Sequence, residues 1–291
     1  FQQELYALMK THNSEKNYHK VIHLYNQAQH LLGQKFKPVY HTYYELLVAL
    51  QGLGKHKDVV AIASTIQISV STVKKVTSDI VSCYLKSLFA LNNIEGAETV
   101  YNAIANDAFK MRMNAVMLDG YCNTRKFEKL DALYQQCTKV STQIDGWILF
   151  YKLKSLVIKQ ELKEAEELLY SFMINKKAAS RSSVMDAAIK LLCASRVTVD
   201  NAVSVLIRAL EVAASKENEN DAYKLEIQPA LVNNVFNTCV RYERDDLLKI
   251  MAEKCGDGFS PDVFTISNHM QKYCNDGNYA KVELLFKFLL E

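Results

Sequence analysis

Glycine and proline are scarce in this chain, with nine Gly and three Pro among 291 residues. That leaves too little turn-forming material for the many tight reversals of a β-sandwich or barrel, so long helices with short connections are expected. Cysteine occurs seven times but never as CxxC, and neighbouring cysteines stand at least 15 residues apart. This spacing speaks against a zinc knuckle and a disulfide framework, and makes a reducing compartment the simpler reading. No run approaches the roughly eighteen apolar residues that a membrane span needs. Also missing are a phosphate-binding glycine loop, an HExxH pair and a nucleophile elbow, so neither catalysis nor a cofactor is expected. His19 and His23 are four apart and could in principle face one metal ion, but no third ligand is near, and an exposed helix face is the plainer reading. Charge of one sign is absent too. The net charge of +3 comes from 35 basic and 32 acidic side chains, so a surface for a polyanion would have to arise from clustering. The chain opens on Phe1 rather than Met, which makes a fragment or a processed form the expectation.

What the chain does have is apolar residues, 49% of the total, with 10% aromatic, enough to bury a substantial core. The stretch from Ser260 to Glu291 reads as one complete helical hairpin. Ile266, Met270 and Tyr273 line one side of a first helix, and Val282, Leu285, Phe286 and Leu289 line a second. Asn275, Asp276 and Gly277 supply the turn between them. A two-helix unit of this size cannot bury its own apolar stripe and needs neighbours of the same kind. The stripe of the last helix accordingly leads us to expect further chain beyond Glu291.

Those neighbours are found by taking Val282 as an anchor and searching upstream for an apolar residue followed by apolar residues three and four positions later. The anchors are Val21, Val59, Ala97, Leu130, Ala165, Ala202, Leu247 and Val282, separated by 38, 38, 33, 35, 37, 45 and 35 residues. All of the residues three and four beyond them are apolar, from Leu24 and Tyr25 to Ile250, Met251, Leu285 and Phe286. A period near 35 sustained in this way predicts an all-α array of about eight helix-turn-helix repeats. The expected repeats span 2–36, 40–74, 78–110, 111–145, 146–182, 183–227, 228–262 and 263–291, forming a single domain. The long sixth interval contains the polar run SKENENDAYK and is expected to hold an inserted surface loop over 215–226.

Three stretches carry a resemblance. PDVFTISNHMQKYCNDGNYAKVELLF at 261–286, KPVYHTYYELLVALQGLGKHKDVVAIA at 37–63 and MNAVMLDGYCNTRKFEKLDALYQQ at 113–136 resemble the pentatricopeptide repeat (PPR) family, in its degenerate organellar form of the fungal or animal kind. The other five units match less closely. The resemblance implies a right-handed α-solenoid that binds single-stranded RNA along the layer of first helices. It assigns base reading to the residue fifteen before each anchor together with the last residue of the repeat. It assigns stacking on base faces to the residue eighteen before the anchor.

Transferred to this sequence, the reading positions give Tyr44 with Thr77, Ser82 with Lys110, Val232 with Asp262, and Ser267 without a mate; Ala115 pairs with Asp145, and Asn114 would take its place if that register slipped by one. No complete pair combines Thr, Ser or Asn with Asp or Asn, as the family's informative pairs do. The stacking position carries His41, Arg112, Trp147 and Phe264, planar groups that could equally pack between repeats. Basic residues gather at Lys74 and Lys75, at Lys110 and Arg112, at Arg125, Lys126 and Lys129, at Lys152 and Lys154, and at Lys176, Lys177 and Arg181. They could track phosphates or form a solvated helix face. Family members often carry Lys seven before the anchor, and no Lys stands there here. Cys122, Cys239 and Cys274 each precede an anchor by eight and are expected to be packing residues.

The resemblance further implies a mitochondrial matrix protein acting on the stability, processing or translation of an organellar transcript. A tetratricopeptide-like scaffold for a protein partner, or a structural subunit of a particle such as the mitochondrial ribosome, remains open beside it.

Overall fold

The computed structural model describes residues 1–66, 75–140, 146–175, 181–215, 224–255 and 263–290. Among these the regular structure is entirely helical: sixteen α-helices paired into eight hairpins, with two short 3₁₀ turns. The first four hairpins are α1 Gln2–Ser14 with α2 Tyr18–Leu32, α3 Tyr40–Gly52 with α4 His56–Thr65, α5 Lys75–Ala90 with α6 Ile94–Asn102, and α7 Asp107–Asn123 with α8 Phe127–Val140. The last four are α9 Gly146–Lys159 with α10 Leu162–Met173, α11 Arg181–Leu192 with α12 Val199–Ala213, α13 Pro229–Arg241 with α14 Asp245–Cys255, and α15 Val263–Asn275 with α16 Tyr279–Leu290. The all-α repeat architecture read from the period is therefore what the chain adopts. No described helix is long and apolar enough to cross a membrane.

Two compact units make up the chain, Phe1–Cys137 and Thr138–Glu291. Within each, first helices pack on first helices: α1, α3, α5 and α7 in one unit, and α9, α11, α13 and α15 in the other. In the second unit α10, α12 and α14 stack in the same way behind them. The second unit is thus built of two helix layers with the apolar stripes meeting between them, and in the first α2 and α4 pack onto α3 and α5.

The hairpin turns share one construction. At seven of the eight, a single residue takes the left-handed conformation: Lys16, Gly54, Asn92, Arg125, Gln160, Glu243 and Gly277, with φ between 56° and 70°. The next residue donates its N–H back across the turn, as Asn17 does to His12, Lys126 to Tyr121, Arg244 to Cys239 and Asn278 to Tyr273, at 2.8–2.9 Å. This is the Schellman closure, which satisfies carbonyls that the end of a helix leaves open. Only two of the seven are Gly, so most turns hold an L-residue in a conformation that costs about 1 kcal/mol. The sixth turn is different. It runs through a 3₁₀ segment, Arg196–Thr198, held by the Thr198 hydroxyl donating to the carbonyls of Leu192 (2.5 Å) and Ser195 (3.2 Å).

The left-handed residue precedes the anchor by five in every hairpin that has one, and this corrects one anchor. Glu243 places the seventh anchor at Leu248, not Leu247. The N–H of Leu248 donates to the carbonyl of Arg244 at 3.2 Å, as that of Leu130 does to Lys126 and that of Val282 to Asn278. Both leucines are apolar and buried, which is why the sequence did not separate them. The correction explains why Ile250, taken as a core residue, is 41% exposed. It also moves Cys239 out of the position that Cys122 and Cys274 share and into that of Tyr121 and Tyr273. Cys122 and Cys239 are buried as expected, whereas Cys274 is exposed. Phe286 is 47% exposed as well. It belongs to the last hairpin, onto whose outer side no further helix packs among the described residues.

With anchors so placed, the residues twelve before them are Met9, Leu47, Leu85, Leu118, Leu153 and Phe236, all fully buried, and in the last hairpin the half-buried Met270; the sixth hairpin, whose turn is built differently, has the exposed Lys190 there. Each such side chain contributes about 1.5–3 kcal/mol by leaving water. A polar clamp repeats as well. Asn13 and Gln51, each eight before an anchor, donate to the backbone carbonyls of Glu45 (2.9 Å) and Cys83 (2.8 Å), each fourteen before the next anchor. Asn13 also reaches the buried Glu45 carboxylate at 2.6 Å. Adjacent first helices in this unit are thus tied at the same height. Of the inserted loop, residues 216–223 lie outside the described residues. At its far end the Glu226 N–H donates to the Ser182 hydroxyl at 2.9 Å, and Leu225 and Ile227 are buried.

Candidate nucleic-acid interface

In each unit, the face of the first helices that could meet a ligand is defined by positions eighteen, fifteen and eleven before each anchor, since steps of three and four keep to one side of a helix. Eighteen before stand Gln3, His41, Arg112, Trp147, Ala230 and Phe264, all exposed, with Asp79 half-buried and Val184 buried in the third and sixth hairpins. Fifteen before stand Tyr6, Tyr44, Ser82, Ala115, Phe150, Ala187 and Asn233, all half-buried, and the exposed Ser267. Sixteen before, one residue away, most side chains turn inward: Leu5, Val81, Asn114, Leu149, Val232 and Ile266 are buried, and Tyr43 and Asp186 half-buried.

That one-residue difference decides the fate of two expected readers. Asn114 is buried, and its amide oxygen accepts the Tyr101 hydroxyl at 2.5 Å. The left-handed Arg125 fixes the fourth register on Leu130, so the slip that would have brought Asn114 outward does not occur. Val232 is fully buried, and Asn233 replaces it on the ligand-facing side. Thr77 is buried as well, which takes it away from any base edge. Tyr44 lies half against the core, where burial raises its phenol pKa. Ser82 is half-buried and Ser267 exposed. Asp145 and Asp262 lie outside the described residues.

The stacking candidates are on the surface, partly engaged with their neighbours. The His41 ring meets Tyr6 edge-on, with centroids 5.3 Å apart. This joins the stacking position of one repeat to the reading position of the previous one. Trp147 meets Phe150 at 5.6 Å and 80°, and is still 40% exposed. Phe264 is 74% exposed, a large apolar surface left in water on a ligand-facing helix.

The basic clusters divide. Arg181 is buried and donates to the Met173 carbonyl at 2.9 Å, because it caps the end of α10. Lys129 pairs with Glu98 at 2.6 Å, and that carboxylate also accepts from Tyr121. Lys110 holds its ammonium 4.9 Å from the centroid of the Tyr101 ring, whose phenol burial lifts to about 12. These groups hold repeats together. Arg112, Arg125 and Lys126 are exposed and Lys152 and Lys154 half-buried; Lys74, Lys176 and Lys177 lie outside the described residues, and nothing is described of the Lys75 side chain. His19 and His23 are both exposed on α2, and no group of three possible ligands for a metal stands together among the described residues.

Two features of this face were not read from the sequence. Lys10, Lys86 and Lys154 each stand eleven before an anchor, one helical turn beyond the reading position, with Lys10 and Lys86 exposed. Spacing of four from Tyr6, Ser82 and Phe150 was the available signal. The second is Arg241. With the seventh anchor at Leu248 it falls seven before it, at the end of the first helix, and it is exposed. One hairpin therefore presents both an amide at the reading position and a cation at the place where the resembling family carries Lys.

No family model matches the sequence, and no curated protein does. The structure is similar to the crystal structure of the pentatricopeptide repeat protein PPR10 from maize, with 15% identity and a TM-score of 0.46 over 97% of this chain and 43% of that one. The chain thus spans less than half the length of that protein.

Proposed function

We propose that this chain binds single-stranded RNA along the exposed side of its first helices, without catalysing a reaction. The observation that carries the reading is the composition of that side once the register is fixed. Planar groups (His41, Arg112, Trp147, Phe264) stand three residues before the polar or aromatic positions (Tyr44, Ser82, Asn233 and Ser267 among them), and in three hairpins a lysine (Lys10, Lys86, Lys154) follows one turn later. Unpaired bases offer π-faces to the first set and hydrogen-bonding edges to the second, while phosphates suit the third. Asn233, with Asp262 closing the same repeat, is the one pair of the kind that reads a base in the family the sequence resembles. Elsewhere stacking and charge dominate, so sequence preference is narrow and centred on the seventh repeat.

The setting we propose is the mitochondrial matrix, where holding a transcript segment would govern its stability, processing or translation. The test is a titration of labelled single-stranded and duplex RNA at low salt, with Trp147 fluorescence followed in parallel. Binding of the single strand with quenching of Trp147, weakened about 5- to 150-fold by each of Arg112→Ala and Phe264→Ala, supports the reading. Absence of RNA binding at low salt, or unchanged affinity in the double variant, overturns it in favour of a protein-binding scaffold.

A further inference from the structure

Within the second unit, α13, α15 and α16 enclose a cleft of about 510 Å3, in the range of sites that hold small ligands. Three cations line it, Arg241, Lys272 and Lys281, together with two carboxylates, Glu243 and Asp276. None of the five is ion-paired among the described residues. Two of the cations rest on aromatic faces instead. The Lys281 ammonium lies 5.2 Å from the centroid of the Tyr273 ring, and the Arg241 guanidinium 5.6 Å from that of Tyr242. A ring face satisfies the charge but leaves N–H donors free to meet an acceptor. Across the cleft, the ring nitrogen Nε2 of His269 and the amide oxygen of Asn237 are in hydrogen-bond contact at 2.5 Å, linking α15 to α13.

Opposite charges that share a cleft of this size without pairing suit a ligand carrying both acceptors and donors. A simple anion answers only the cations, and the carboxylates repel it. The geometry points to this cleft as a site for a nucleoside monophosphate, its phosphate among Arg241, Lys272 and Lys281 and its ribose hydroxyls or base amino group toward Glu243 and Asp276. The same chemistry has two sources, a free mononucleotide or the phosphorylated end of an RNA strand, and only the second rests on the function proposed above. Burial and the nearby Lys272 ammonium hold the His269 pKa below its ordinary value. A phosphate entering beside it raises that pKa, so the imidazole reports occupancy.

The experiment uses the whole chain and follows the His269 ring resonances while adenosine or uridine monophosphate, or inorganic phosphate, is added. Short RNAs with 5′-phosphate, 3′-phosphate or hydroxyl ends are compared for affinity, and Lys272→Gln/Lys281→Gln is the control. The expected result is mononucleotide binding that raises the His269 pKa and exceeds that of inorganic phosphate, weakened about tenfold or more in the double variant, whose thermal unfolding is unchanged. RNA ends that bind about tenfold tighter when phosphorylated, with the difference lost in the variant, identify RNA as the source. Mononucleotide binding without that difference identifies the free nucleotide. If neither mononucleotides nor terminal phosphates move His269 or the affinity while RNA still binds, the cleft assignment is wrong and the RNA reading stands. If mononucleotides bind and no RNA does, the cleft assignment stands and the RNA reading falls.

Discussion

Leu248 donates its amide hydrogen to the carbonyl of Arg244 across 3.2 Å, and that bond sets the register of the seventh repeat. Everything assigned to Asn233 and Arg241 depends on it. The register has a direct consequence for stability. Val232→Ser places a hydroxyl in a fully buried site and costs about 2–4 kcal/mol. Asn233→Ser, one residue on at a half-buried position, costs less than Val232→Ser. Urea denaturation of the two variants checks this.

Gly120 stands where α7 crosses Phe89 of α5. A Cβ at that position would lie 2.2 Å from a ring carbon, far inside contact distance. Gly120→Ala therefore overpacks the first unit and lowers its stability by about 1–3 kcal/mol, read as an earlier thermal transition. Phe89→Leu in the same chain recovers part of the loss.

The clamp between α1 and α3 gives a second stability prediction. Asn13→Ala removes both donors that reach Glu45, a residue only 5% exposed. A buried carboxylate without its partner costs about 1–3 kcal/mol or more. Asn13→Ala/Glu45→Leu is then less destabilised than Asn13→Ala alone, because nothing polar is left stranded.

His269 predicts a pH dependence. Its folded pKa lies below the ordinary 6.5, first because it is buried and then because Lys272 is near. The unfolded chain consequently binds the proton more readily, so stability is fully present above 6.5 and declines as pH falls through the lower folded value. Comparing denaturation at about pH 7.5 and about pH 5.5 shows the loss, and His269→Gln shrinks it.

The fold was legible because its repeat is spelled twice, in apolar spacing and in turns. Residues such as Val21, Val59 and Ala97 are small or branched, fully buried and evenly spaced, so counting found them. Counting failed where two leucines adjoin and the left-handed residue is Glu243, a side chain that gives no hint of that conformation. The ligand-facing side was less legible. A shift of one residue carries a side chain from surface to core, and nothing in the identity of Asn114 tells that Tyr101 is its partner. The lysines at 10 and 86 belong to no cluster in the sequence, because the same helix position in separate repeats lies far apart along the chain.

The most direct measurement is the salt dependence of RNA affinity in the wild type and in Lys10→Gln/Lys86→Gln/Arg241→Gln. Each phosphate contact on a single strand contributes about 0.7 to the slope of log affinity against log salt. The account predicts a slope shallower by about 2 in the triple variant, with the fold intact. An unchanged slope, or no binding of single-stranded RNA by the wild type even at low salt, would contradict it.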